Sequence, residues 1–137
     1  MKHGIIVCIS LVLLVSCSDK NKYDVQSDKN YENSKVNLEA TEKKNPPAFV
    51  KVTGGRKKNL IGQTVVKGKL YNNAKVVTYK DVTLKLSFYS KTGTVLEEDI
   101  ETIYEKVSPG GSVSFKSKYF TPKGTDSVGM KVISAKY

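Results

Sequence analysis

The segment DVTLKLSFYS, residues 81–90, alternates apolar and polar side chains. Its apolar residues occupy every second position: Val82, Leu84, Leu86 and Phe88. A period of two places successive side chains on opposite faces of an extended chain. The segment therefore predicts a β-strand with one buried face and one solvated face.

Weaker versions of this alternation flank the segment on both sides. They cover residues 64–70, 95–106, 111–120 and 127–137, and turn sequences rich in Gly, Asn and Pro separate them. Within 95–106, the expected inward side chains are Leu96, Ile100 and Tyr104. Evenly spaced short strands predict an all-β domain over 48–137, a sandwich of about seven strands. A small OB-like or SH3-like barrel is the alternative.

Three patches of this domain stand in the order found in FxLYD-type domains. They are VKGKLYN (66–72), LSFYSKTGTVL (86–96) and SPGGSVSF (108–115). The chain thus resembles that family, which implies an immunoglobulin-like β-sandwich of the kind common in exported bacterial proteins. Leu86 stands where the family name has Phe, and Ser90 where it has Asp. The shared positions are turn and core positions, so the resemblance implies a fold and no particular activity.

The first 16 residues have the pattern of a signal peptide. A short basic start precedes the apolar stretch 4–16, which as a helix would span only about 20 Å. A bilayer core needs about 30 Å, so a cleaved leader is the better interpretation. The stretch ends in LVSC, which resembles the lipobox of bacterial lipoproteins. That resemblance implies cleavage before Cys17 and its acylation with palmitate-type chains, of which two or three anchor a protein stably.

The residues after Cys17 bear on localisation. Ser18 rather than Asp follows the cysteine, and in a host with two membranes the lipoprotein resemblance then implies the outer membrane. The segment SDKN (18–21) also loosely resembles tags that direct lipoproteins to the cell surface. We therefore expect a lipid-anchored cell-envelope protein, with surface or periplasmic orientation left open.

Residues 18–47 differ in composition from the domain that follows. They hold six lysines against six acidic residues and few apolar side chains. Such a segment buries too little surface to offset its ordering entropy. The sequence predicts a disordered tether over 17–47 with a reach of roughly 30 Å. A short helix near 35–44 is the alternative.

The predicted mature chain lacks most catalytic chemistry. His3 and Cys8 would leave with the leader, and Cys17 would be acylated. This excludes Ser-His and Cys-His nucleophiles as well as imidazole and thiolate metal sites. The acidic run 97–101 would place Glu97, Asp99 and Glu101 on one strand face, which we expect to be solvated. We predict no enzyme, cofactor or metal, and a carboxylate-only glycan hydrolase is the enzymatic alternative.

The chain is strongly basic, with a formal net charge of +10. Its densest cationic run is GGRKKN (54–59), and we expect Arg56, Lys57 and Lys58 to lie on a loop that binds anions. A lysine-rich surface without a ligand is the alternative. Nucleic-acid readout favours arginine and clustered aromatic residues. This chain has a single arginine, Arg56, and its tyrosines are scattered along the strands, so no nucleic-acid partner is expected.

Together these features predict a non-catalytic interaction module. Its expected partners are the membrane, through the lipid anchor, and an envelope protein or an anionic glycan such as lipopolysaccharide. Inhibition of a partner enzyme is a further alternative. The oligomeric state is left open.

We expect Cys17→Ala to abolish lipidation, because the thiol is the site of acyl attachment. The intact mass of membrane-extracted wild-type protein should equal residues 17–137 plus two or three acyl chains. The variant should lack that mass. A soluble, unacylated wild-type protein would contradict the lipobox interpretation.

Overall fold

The computed structural model describes residues 24–137, with side chains from residue 29 onward. The leader and Cys17 lie outside these residues. The elements are α1 Asp24–Lys44, α2 Pro46–Phe49, β1 Val50–Lys58, β2 Thr64–Asn72, β3 Lys80–Tyr89, β4 Val95–Ile103, β5 Ser112–Tyr119 and β6 Ser127–Lys136. Neither described helix is long and apolar enough to cross a membrane.

Six strands form two three-stranded antiparallel sheets. The first sheet has the order β1-β2-β5 and the second has the order β4-β3-β6. This confirms the all-β sandwich and disfavours a single closed barrel. About seven strands were predicted, and the described residues form six. Between strands, residues 73–79 and 104–111 meet in one isolated bridge, Tyr79–Val107.

The core lies between the sheets, and β3 supplies its centre. The four alternating side chains Val82, Leu84, Leu86 and Phe88 are at most 1% exposed, as predicted. From the first sheet, Leu70 is also fully buried within the same cluster. Each such side chain contributes roughly 1.5–3 kcal/mol when it leaves water, so this face of β3 makes a large contribution to stability.

Phe115 packs directly over a glycine on the neighbouring strand. Gly68 pairs with Phe115 across β2 and β5. A Cβ atom on Gly68 would lie 2.5 Å from Cε1 of Phe115, far inside van der Waals contact. Glycine is therefore required at position 68 for the ring to cover the strand.

The side chains of strand β4 that were predicted to point toward the core point outward instead. Leu96, Ile100 and Tyr104 are exposed by 38%, 55% and 80%, so their prediction as inward residues was wrong. The register explains the difference, because Ile103 pairs with the buried Val82 and is itself buried. Ile103 is therefore the apolar residue through which this edge strand joins the core.

A buried amide joins the connections between the two sheets. The Nδ2 group of Asn72 donates to the carbonyl oxygens of Val77 and Val107, each at 2.8 Å. Its Oδ1 accepts from the Ala74 backbone N–H at 2.9 Å. Both amide hydrogens and the amide oxygen thus have partners, which a buried amide requires.

Residues 24–44, which were predicted to belong to a disordered tether, form helix α1. The alternative, a short helix near 35–44, is closer to the structure but underestimates the length. Most described side chains of α1 are exposed, so the sequence shows no apolar face by which the helix could have been predicted. It is attached through the carboxylate of Glu42, which is fully buried.

The Glu42 carboxylate accepts three backbone N–H groups. They belong to Lys75, Val76 and Val77, at 2.6, 3.0 and 2.9 Å. The Glu42 carbonyl oxygen also accepts from the Tyr79 hydroxyl at 2.8 Å. Burial alone would raise the pKa of Glu42, but the three N–H donors hold the pKa below its ordinary value. Burial beside this carboxylate raises the pKa of Tyr79 to about 12.

Glu42→Gln should lower the free energy of unfolding by about 1–3 kcal/mol, because an amide NH₂ would face backbone N–H groups. Because the pKa of Glu42 is lowered in the folded state, the stabilisation by its carboxylate is complete at pH values above the ordinary glutamate pKa. This stabilisation is lost as the pH falls through the folded-state pKa. Chemical denaturation at pH 7 and along the acid limb measures both effects.

Glu39→Gln is the matched control for this prediction. Glu39 lies one turn earlier, half-exposed and paired with Lys43 at 2.6 Å. An exposed pair of this kind contributes little to stability. Equal unfolding midpoints for the two variants would contradict the anchoring role of Glu42.

Candidate anion-binding face

Charge is segregated between the two sheets. Strands β1, β2 and β5 contain no aspartate or glutamate. Their basic residues are Lys51, Arg56, Lys57, Lys58, Lys67, Lys69, Lys116 and Lys118. The acidic residues of the strands all lie in the second sheet: Asp81, Glu97, Glu98, Asp99 and Glu101. The positive charge of the described strands is therefore concentrated on one layer of the sandwich.

The strand register places six of these lysines on the outer surface of the first sheet. Directly paired residues of antiparallel strands share a face. Lys67 pairs with Lys116, and Val65 pairs with both Lys57 and Lys118. The buried Val66 and Leu70 lie on the opposite face. The lysine face is defined by the exposed residues Lys51, Lys57, Lys67, Lys69, Lys116 and Lys118.

The lysine face has no neutralising partners among the described residues. The ion pairs of residues 29–137 are Lys43–Glu39, Arg56–Asp126, Lys85–Glu98 and Lys136–Asp81, and none includes a lysine of this face. Like charges directly opposite each other, such as Lys67 and Lys116, destabilise a sheet. The positive potential of the face is therefore available to an external anion.

An open depression of about 480 Å³ lies at the middle of the lysine face. Its polar side chains are Lys67, Lys69, Lys116, Thr53 and Ser114, and its lining is completed by the apolar residues Gly54, Gly68 and Phe115. Ammonium and hydroxyl groups are suitable donors to phosphate, sulfate or carboxylate oxygens. The depression is shallow, unlike the enclosed cavities that bury small molecules. Its shape suits an extended ligand that lies along the sheet.

Tyr71 borders the same surface. The Lys69 ammonium nitrogen lies 5.3 Å from the centroid of the Tyr71 ring. This is cation–π distance, and Tyr71 is itself on the outer face, paired with Lys51. The aromatic ring attracts one lysine head and adds an apolar surface at the border of the lysine face.

The predicted anion-binding residues occupy different positions from those expected. Arg56, Lys57 and Lys58 lie within strand β1 rather than on a loop, and the turn comes later, at residues 59–62. Lys57 belongs to the lysine face. Lys58 is exposed beside the start of β2, where it pairs with Thr64.

Arg56 has a structural attachment. It pairs with the buried Val66, and its side chain is only 18% exposed. Its Nε donates to the backbone oxygen of Asp126, and its guanidinium lies 3.9 Å from the Asp126 carboxylate. Arg56 therefore links the first sheet to the start of β6 and is only partly available to a ligand.

Most lysines of this face were missed from the sequence. Lys67 and Lys69 lie two residues apart in one predicted strand, and Lys116 and Lys118 do so in another. That spacing places each pair on a single strand face. The signal was present, but it identifies a patch only once β2 and β5 are known to be neighbours.

The acidic run lies on a different edge of the molecule. Glu97, Asp99 and Glu101 pair with the inward residues of β3, so they share one side of β4. Glu97 and Asp99 are exposed, as expected. Glu101 is half-buried and accepts from the Ser117 hydroxyl, while its Oε2 is buried without a partner. All three extend from a single strand, which differs from two carboxylates facing each other across a glycosidase cleft.

Glu98 projects to the other side of β4. It pairs with Lys85 at 2.8 Å and accepts from the Ser87 hydroxyl at 3.2 Å. The bond from Lys85 holds the pKa of Glu98 below its ordinary value. Within residues 29–137, no three His, Cys, Asp or Glu side chains are grouped so that they could hold a metal ion.

The comparisons with known proteins return no relatives. No protein-family model, no curated protein and no solved structure matches the chain. Function must therefore be inferred from the lysine face itself.

The attachment of Arg56 predicts a division of roles within the basic run. Arg56→Ala should lower the free energy of unfolding by about 1–2 kcal/mol, through loss of its charged hydrogen bond to Asp126. Lys57→Ala removes the same charge from an exposed position and should leave stability almost unchanged. Thermal and denaturant unfolding measure both. A larger loss for Lys57→Ala would refute the assignment.

Proposed function

We propose that this protein is a non-catalytic, lipid-anchored module of a bacterial cell envelope whose lysine face binds an anionic glycan. One observation carries the binding proposal: six exposed lysines share one sheet face that contains no carboxylate. The lipobox-like LVSC sequence supports the anchor at Cys17, and Ser18 supports the outer membrane of a Gram-negative host.

The spacing of the lysines suits a polymer with repeated negative charges. Neighbouring strands lie about 4.8 Å apart, and alternate residues on a strand about 6.7 Å apart. The face thus presents a two-dimensional array of flexible point charges. Lysine recognises negative charge without the fixed bidentate geometry of arginine. Such a face would respond to charge density, as on lipopolysaccharide or another phosphorylated or sulfated glycan, more than to one sugar sequence.

The same proposal includes an immunoglobulin-like sandwich of the FxLYD type. Support comes from the positions of the motif residues. Leu70 and Asn72 of the first patch are buried, and Asn72 holds the inter-sheet connections. Gly68 of the first patch lies under Phe115 of the third. These two patches that resemble the family are therefore in contact with each other.

Substitution of the central lysine pair tests the proposal. Lys67→Ala with Lys116→Ala should weaken binding to lipopolysaccharide about tenfold. A plot of the logarithm of the binding constant against the logarithm of the salt concentration should also become shallower, by about one to two released ions. This follows because each neutralised phosphate releases about one counterion. Titration of the full chain at several salt concentrations measures both quantities.

Lys80→Ala with Lys131→Ala is the matched control. Both lysines are exposed on the second sheet, in β3 and β6, and neither belongs to the ion pairs of residues 29–137, so the control removes the same unpaired charge from the other layer. It should change the affinity by less than about twofold, as screening predicts for distant charges. Equal losses for the two double variants would overturn the lysine face. Binding only to an envelope protein would favour the protein-partner alternative, and release of soluble sugar would favour a glycan hydrolase.

A further inference from the structure

Three large apolar side chains are exposed at one end of the sandwich. Leu60 and Ile61, in the turn between β1 and β2, are exposed by 106% and 77%, and Phe120, which follows β5, is exposed by 81%. Isolated exposed apolar residues are common, but three of them at one end of a domain form a candidate interaction site. These three residues are named the apolar tip.

Hydrogen bonds and strand pairing bring the apolar tip together. Thr64, the first residue of β2, pairs with Tyr119, the last residue of β5. The hydroxyls of Thr64 and Thr121 lie 2.7 Å apart. Phe120 is therefore held beside the base of the β1–β2 turn.

The turn that carries Leu60 and Ile61 is itself well ordered by Asn59. The Asn59 Oδ1 accepts from the backbone N–H groups of Ile61 at 3.1 Å and Gln63 at 2.9 Å. Its Nδ2 donates to the Gln63 side chain at 3.0 Å. Gly62 has a φ of 77°, which glycine adopts without strain. These hydrogen bonds define the backbone of the turn, which leaves its two apolar side chains exposed to solvent.

Lysines lie beside Leu60 of the apolar tip. An open cavity of about 360 Å³ is lined by Leu60 and Val65 together with Lys57, Lys58, Lys67 and Lys116. The nearby carboxylate of Asp126 is already paired with Arg56. Apolar side chains within a cationic border are complementary to a surface that combines acyl chains with anionic headgroups.

We infer that the apolar tip docks on an anionic lipid bilayer, with Leu60 and Ile61 in the interfacial region and Lys57 and Lys58 against lipid phosphates. This contact goes beyond glycan binding by the lysine face and beyond any acyl anchor at Cys17. It lies at the end of the sandwich opposite to the Asn72 and Glu42 contacts, since β2 runs from Thr64 at the tip to Asn72. Leu60 and Ile61 can be changed while all six lysines of the lysine face are kept.

Two single-tryptophan variants test this inference, because the chain contains no Trp. Ile61→Trp is the tip probe. Tyr104→Trp is the control probe, since Tyr104 is 80% exposed and follows β4 at the opposite end. The full chain is mixed with vesicles of phosphatidylcholine, with or without phosphatidylglycerol, that carry lipids brominated near the interface.

With phosphatidylglycerol, the emission of the tip probe should shift to shorter wavelength. Brominated lipid should quench the tip probe at least about threefold more than the control probe, as expected for a side chain 5–10 Å into the interface. Raising the salt concentration from 0.1 to 1 M shortens the Debye length from about 10 to about 3 Å and should reduce this difference. Adding Leu60→Asp to the tip-probe variant should abolish it.

Three results would overturn the inference. The two probes could be quenched equally, or the tip probe could be quenched as strongly in neutral vesicles. Burial of the tip probe that depends on protein concentration without lipid would instead indicate a second copy of the chain. The proposed glycan binding is judged separately, on the acyl-free polysaccharide portion of lipopolysaccharide. Leu60→Ser, which adds no charge, should leave that titration unchanged, while Lys67→Ala with Lys116→Ala should weaken it.

Discussion

The carboxamide of Asn72 is the contact on which the rest of the sandwich depends. It binds the carbonyl oxygens of Val77 and Val107, which lie in the two connections that leave β2 and β4. A buried amide that lost one of these partners would leave a polar group unsatisfied, at a cost of about 1–3 kcal/mol. The same loop of residues 73–79 then offers its backbone N–H groups to Glu42. Helix α1 is therefore attached to the same loop that Asn72 holds.

Alternation along the strands produces both the core and the lysine face. In β2, Val66, Gly68 and Leu70 face the second sheet, while Lys67 and Lys69 face outward. A shift of register by one residue would exchange the two sets, so burial of the core also fixes the position of the lysines.

The sequence predicted the parts of the fold that depend on local periodicity. The inward residues of β3 were identified correctly because that strand lies at the centre of its sheet and has apolar residues at every second position. Strand β4 misled the same reasoning, since it is an edge strand whose inward side is largely acidic. Helix α1 was missed because it is attached by the single carboxylate of Glu42. The first N–H donor to that carboxylate, Lys75, is 33 residues away, and no local pattern indicates it.

The unneutralised charge of the lysine face also governs how copies of the protein can be arranged. Two molecules that approach with these faces toward each other repel, because neither face holds a carboxylate. The outer strands β1 and β5 carry part of the same charge, which discourages pairing of sheet edges between molecules. A polyanion placed between two such faces reverses the sign of the interaction. A bound polyanion would therefore determine whether neighbouring copies stay dispersed or gather along one polymer.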